Sequence, residues 1–366
     1  MIFTNPNPKE IAAAMQQEAT PDSLFVVMVA ENTGADIDEF MAALNETSCQ
    51  YIGGLFPKLI FDNALIDQGV VVTRLQGLQK IHIARGLAEG NYNLEKHPVA
   101  LGSDYCVFTL VDGLASGISG FLSELYRSYG SEIRYFGGGA GSLSLQQAPC
   151  LFSREGFLQD AAIYCLLNQS THLGVKHGWE KLGGPFVATK TTANVVEEIN
   201  WRPAFEVYRE VVEADYGASF DSQPFFDIAK GYPFGMVREG TECVVRDPIA
   251  VNDDGHLICV GEVPENTFLD VLKGKNQELI AAAEQAAMIA ADQAKQPAAA
   301  LVIDCISRVL FLDDNFQEEV QAVTKALQQK GVQPTMRGAL TLGEISSFGD
   351  GFIEFFNKTT VVGLFE

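Results

Sequence analysis

A chain of 366 residues is long for one domain, and two is the usual expectation. Hydrophobic residues make up 47% and charged residues 20%, which excludes a largely disordered chain. Lys and Arg total 25 against 47 Asp and Glu, a net charge of 25 − 47 = −22, so phosphate backbones and anionic lipid headgroups are repelled.

In chain order, a strand–helix–strand–strand pattern recurs three times. Unit one starts with the apolar run LFVVMVA (Leu24 to Ala30). An amphipathic helix around Asp36 to Leu44 follows, then YIGGLFPKLIF, then a strand from Gly69. Unit two starts with YCVFTLV (Tyr105 to Val111) and has a helix around Ile118 to Tyr129. RYFGGGAGSLSL and a strand from Asp160 complete it. Unit three starts with AALVIDC (Ala299 to Cys305), with a helix near Asn315 to Gln329, then MRGALTLGEIS and the strands FIEFFN and TVVGLF.

The first strand and the glycine are similarly spaced each time: Phe25 to Gly53, Val107 to Gly137, Val302 to Gly338. We read these glycines as turns. Short apolar strands flanked by helices predict an α/β fold, two associated domains built from repeated β-α-β-β units with helix-covered sheets.

The texture between units two and three differs. His172 to Val187 reads as glycine-rich and turn-rich, and TTANVVEEINW as a hairpin around Asn194. Arg202 to Ala214 has helical spacing with a proline in its first turn. FGMVREG, CVVRDPIAV and HLICVGEV read as strands. Asn276 to Ala294 is an alanine-rich helix ended by Pro297; its apolar face suits core packing or partner docking. The predicted boundary lies just before the Arg202 helix, giving domains of residues 1–200 and 201–366.

The seven cysteines are odd in number, lack CxxC spacing and mostly sit in apolar runs, which points to buried thiols in a reducing compartment. No basic-then-apolar leader opens the chain, and no window reaches the ~18 apolar residues of a membrane span. A cytoplasmic protein is expected.

YFGGGAGSL (Tyr135 to Leu143), VKHGWEKLGGPFVATK and EEINWRPAFEVYREVV resemble the FIST N-terminal domain and its junction. Cys305-x-x-Arg308, Gly338, Gly343-Glu344-Ile345 and Phe356-Asn357-x-Thr359 resemble the FIST C-terminal domain. The resemblance implies a bacterial intracellular sensor that binds a small ligand, amino-acid-like in some members, and signals to a histidine kinase, chemoreceptor or cyclic-dinucleotide enzyme. Some relatives are haem-dependent nitric-oxide sensors. YIGGLFPKLIF departs from the pattern, lacking the Cys/Ser/Thr-rich turn of many relatives.

The candidate site follows from residue chemistry. Backbone N–H groups of Gly138, Gly139 and Ser142 could cradle an anion, or the glycines could serve close packing. Arg308 could hold a carboxylate through parallel N–H bonds and favour a Cys305 thiolate; the alternative is a structural pair of Arg308 with Glu344. Glu344, Asn357 and Thr359 could line the same pocket, or the last two could cap a bend.

The histidines (His82, His97, His172, His177 and His256) show no metal spacing, and nothing selects one of them as a haem ligand. No nucleophile elbow or paired carboxylates point to an enzyme, which leaves thiol chemistry at Cys305 as the enzymatic alternative. The expected function is a non-enzymatic sensor of a small carboxylate, with Arg308 as the main anion contact.

Overall fold

The computed structural model describes residues 1–94, 101–238, 242–347 and 352–366, so His97 lies outside the described residues. It is a mixed α/β fold, as the patterning predicts. The three central strands, Leu24–Ala30, Cys106–Asp112 and Ala299–Cys305, are buried along their whole length. This is why their sequences are continuous apolar runs rather than alternating ones.

Each central strand pairs in parallel with the strand after its helical segment: Gln50–Phe56, Arg134–Ala140 and Met336–Thr341. On its other side it pairs antiparallel with the unit's last strand, Val70–Leu75, Ala161–Leu167 or Thr360–Phe365. The registers coincide: Val27 faces Gly53, Thr109 faces Gly137, and Val302 faces Gly338. The sequence repeat is therefore a structural repeat.

The glycines correct the expectation of turns. Gly53 and Gly54, Gly137 to Gly139, and Gly338 all lie inside strands. A Cβ on Gly137 would overlap the Thr109 carbonyl, and one on Gly338 the Val302 carbonyl. Gly138 lets its strand approach Ile303 and Thr341 of unit three, which a Cβ would meet at 2.8 and 2.9 Å. Close backbone approach is the reason for glycine here.

After the glycine strand each unit sends a hairpin into a neighbour's sheet. Lys58–Phe61 of unit one pairs with Met336–Thr341 of unit three. Leu151–Ser153 of unit two pairs with Gln50–Phe56 of unit one. Glu344–Ser347 of unit three pairs with Arg134–Ala140 of unit two. The exchange closes a cycle, giving three six-stranded sheets of identical strand order. Side chains meet between units, as where the Phe136 and Phe365 rings lie 5.5 Å apart.

The intervening region also contains more strand than its turn-rich texture suggests. Glu180–Thr192 is one strand of 13 residues. It runs through Phe268–Lys273, Phe234–Met236, Val244–Val251, Leu257–Val260 and Val195–Ile199 back to itself, closing a six-stranded barrel. Closure removes the unpaired edges an isolated sheet would expose. Helix Ala204–Tyr216 covers one side, where the buried Tyr208 hydroxyl donates to the Tyr232 carbonyl at 2.7 Å.

Candidate functional site

The glycine run offers no open anion cradle. Gly138 sits in the ladder opposite Glu344, and the Gly139 N–H donates to the Gly343 carbonyl at 2.8 Å. Ser142 lies beyond the strand, its hydroxyl accepting from the Ser144 N–H at 3.1 Å.

Cys305, Arg308, Glu344, Asn357 and Thr359 do come together, in a buried polar hub rather than a pocket. Strand Ala299–Cys305 delivers Asp304 and Cys305, and the following helix Ile306–Leu312 turns Arg308 inward. Arg308 is fully buried, and its partner is Glu319, not the expected Glu344: Nε to Oε1 is 2.9 Å and Nη2 to Oε2 is 2.5 Å. Nη1 donates to the carbonyls of His177 and Lys358 at 2.6 and 3.1 Å, and Nη2 to that of Leu279 at 2.9 Å. All five guanidinium donors are thus occupied by the protein. Burial disfavours the charge, but Glu319 outweighs it and holds Arg308 protonated.

The family-like motifs meet here. The Trp179 indole N–H donates to the Lys358 carbonyl at 3.0 Å, and the Lys358 ammonium lies 4.9 Å above the Trp179 ring. That ammonium also donates to the Lys230 carbonyl at 3.0 Å and pairs with Asp247 at 3.2 Å. Glu344 accepts from Thr341 at 3.1 Å and from the Thr359 N–H at 3.2 Å. Burial pushes the carboxyls of Asp304 and Glu344 well above the ordinary range. Burial, then nearby Glu344, likewise raises the Cys305 thiol, the reverse of an activated thiolate. Both amide atoms of Asn357 are buried without a hydrogen-bond partner among the described residues.

A haem needs an axial ligand, and the described histidines are placed for other work. His82 stacks on Tyr164 at 4.8 Å, and His172 meets Glu366 at 3.0 Å. His177 is buried: Nδ1 accepts from the Trp179 N–H at 2.9 Å, and Nε2 lies 3.5 Å from the Cys243 sulfur. His256 sits in the turn held by Asn252. None of these four lines the cleft beside helix Ile118–Tyr129, so the described residues there supply no histidine for a haem. Among the described residues no cluster of three metal-ligating side chains occurs.

The open space lies elsewhere. A cleft of about 870 Å³ separates helix Ile118–Tyr129, barrel strands Phe234–Met236 and Val244–Val251, and hairpin strand Ile353–Phe356. At its wall stands Arg246, only 3% exposed. Its Nε donates to the Glu262 carbonyl at 2.8 Å, and Nη1 to the carbonyls of Val245 and Phe355 at 2.9 and 3.0 Å. Nη2 has no partner among the described residues. Burial lowers the Arg246 pKa to about 10, which leaves it charged at neutral pH. Glu262 lines the same cleft without an ion-pair partner among the described residues, while Tyr126 and Phe355 add aromatic wall. Asn357 stands behind this wall, since a Cβ on Gly261 would lie 3.0 Å from both its Oδ1 and the Arg246 Nε.

Sequence reasoning passed over Arg246, although a signal existed. In VVRDPIAV two adjacent charges interrupt an apolar strand, and alternation must send them to opposite faces. Asp247 goes to Lys358 and Arg246 to the cleft.

Among the described residues no helix is long and apolar enough to cross a membrane. The search of curated proteins found no match. The FIST N domain matches residues 23–202 and the FIST C domain residues 204–347. The two together span most of the sequence, and the chain belongs to the FIST family, whose domains sense small ligands in signal transduction.

Proposed function

We propose that this chain is a cytoplasmic sensor whose cleft binds a small amino-acid-like carboxylate and reports its occupancy to a signalling enzyme such as a histidine kinase. In this reading residues 1–200 and 201–366 form the two working halves, and the cleft is bordered by both. The observation that carries it is a nearly buried arginine that lines an 870 Å³ cleft and whose Nη2 has no partner among the described residues. A guanidinium held by three carbonyls is preorganised, so a carboxylate there gains charge-assisted hydrogen bonds at little ordering cost. Glu262 supplies the opposite charge for an ammonium group, and Tyr126 and Phe355 suit an apolar side chain. Ligand binding replaces the role expected of Arg308, whose donors are all occupied. A sensor also needs the ligand to favour one conformation over another.

Titration calorimetry of the full chain against the α-amino acids, with matched amines lacking the carboxylate and N-acetyl derivatives lacking the ammonium, tests this. At least one amino acid binds saturably, and both truncated analogues bind more weakly. If the amine analogue binds as well as its parent, the carboxylate reading fails.

A further inference from the structure

On the barrel face that turns away from the cleft, an apolar row lies open. Asn200 and Trp201 form a two-residue turn with φ of 51° and 59°, both in the left-handed region. Glycine is the usual occupant of such positions, and tryptophan is a costly one. The turn is held by Asn200, whose side chain accepts from the Val187 N–H at 2.8 Å, and by Thr189, which accepts from the Trp201 N–H at 2.9 Å. Trp201 is thereby kept 79% exposed. Val187, bonded to Asn200 of the turn, pairs with Phe268, and the Val237 N–H donates to the Phe268 carbonyl, so Val187, Phe268 and Val237 share one face beside the turn that carries Trp201. Phe268 is 56% and Val237 42% exposed. A strained turn that holds a large aromatic side chain in water marks a functional position rather than a packing one.

The surrounding charge selects the partner. Glu197, Glu198 and Glu265 all act on Lys190, and Glu206 and Glu210 flank Arg202. Five carboxylates therefore face two cations next to the Trp201 turn, and Arg238, beside Val237, is paired with Glu354. This surface repels a second copy of so acidic a chain and attracts a basic segment. The row also lies back to back with the cleft. Met236 and Arg238 line the cleft, and Val237 between them faces outward.

We infer that Trp201, Phe268 and Val237 form the docking surface for a basic amphipathic segment of a signalling partner, with Trp201 as the anchor. The surface stands whether or not an amino acid fills the cleft. Tryptophan emission reads it directly, because the other tryptophan, Trp179, is buried and hydrogen-bonded.

The full chain is titrated with a short Lys/Leu amphipathic helical peptide and with its Glu/Leu counterpart. The basic peptide is expected to shift Trp201 emission to the blue and shield it from acrylamide. Phe268→Ser should weaken binding about tenfold, the scale of an interface hot spot. Calorimetry on Trp201→Ser should show the same loss in a protein of unchanged melting temperature. Equal binding of the acidic peptide, binding that survives both substitutions, or no response to either peptide overturns the proposal. So does a concentration-dependent dimer in sedimentation that Trp201→Ser abolishes, because the occupant would then be a second copy.

Discussion

Arg308 and Arg246 are both almost wholly buried, yet their surroundings give them opposite work. Arg308 meets the carboxylates of Glu319 and Asp304 and three carbonyls, and every donor is taken. Arg246 lines the cleft and meets three carbonyls, with no carboxylate within ion-pair distance and no partner for Nη2 among the described residues. Burial alone does not distinguish a structural arginine from a binding one. The count of occupied donors does.

The largest effect that would break this contrast belongs to the hub. Arg308→Ala leaves Glu319 buried without its cation and should cost about 3–5 kcal/mol in urea unfolding. The double variant Arg308→Met with Glu319→Leu removes both charges and should recover part of that loss. A folded Arg308→Ala protein of normal stability would return Arg308 to the list of ligand contacts.

Next comes the backbone approach between paired strands. Gly137→Ala drives a methyl into the Thr109 carbonyl and should destabilise the chain by about 3 kcal/mol, at the upper end for overpacking. Gly217→Ala is the control, since no atom lies within 4 Å of the position its Cβ would take; its φ of +80° alone limits the substitution. If Gly137→Ala proves as mild as that control, close approach is not the reason for the glycine.

The hub should also show in the pH dependence of stability. Burial lowers the His177 pKa from 6.5 to about 4. Above pH 6.5 both folded and unfolded states keep the ring neutral. As pH falls below that value the unfolded chain takes up a proton that the folded one resists until about 4. Stability is therefore lost across this window, by about 3 kcal/mol at its lower end. His177→Asn retains an acceptor for the Trp179 N–H and should flatten the slope between pH 6.5 and 4 in matched urea titrations. An identical slope in wild type and variant would remove His177 as its source.

The smallest effect is the most specific. Arg246→Met should weaken the tightest-binding amino acid by about 1.5–3 kcal/mol, the range for hydrogen bonds to charged groups. Its effect on binding per folded molecule is expected to exceed any effect on melting temperature, the reverse of Arg308→Ala. Calorimetry and thermal unfolding on the same two variants would show whether the contrast holds.

Much of the fold was legible in the residues. Apolar runs such as LFVVMVA and AALVIDC announce fully buried strands, and the helix at Ile118–Tyr129 lies where its periodicity puts it. The 13-residue strand Glu180–Thr192 was less legible, because its Gly-Gly-Pro stretch reads as a turn and only barrel pairing holds it extended. The site was half legible. Cys305, Arg308, Glu344, Asn357 and Thr359 do converge, but as a hub. Arg246 went unread because a lone arginine in a strand does not reveal which carbonyls will reach it.

By itself the sequence determined the three repeated units, their α/β character and the recurrence of a glycine in each, though not its place inside a strand, because periodicity is a local property and strand pairing is not. Tertiary structure decided what those features are for. The exchanged hairpins bring strands from three units together, which turns the glycine runs into contact surfaces. Partners on separate stretches of the chain, from His177 to Lys358, likewise filled the donors of Arg308, Glu319 taking two of them. Whether a donor is free depends in part on residues as far as 131 positions away, and local pattern carries no record of them.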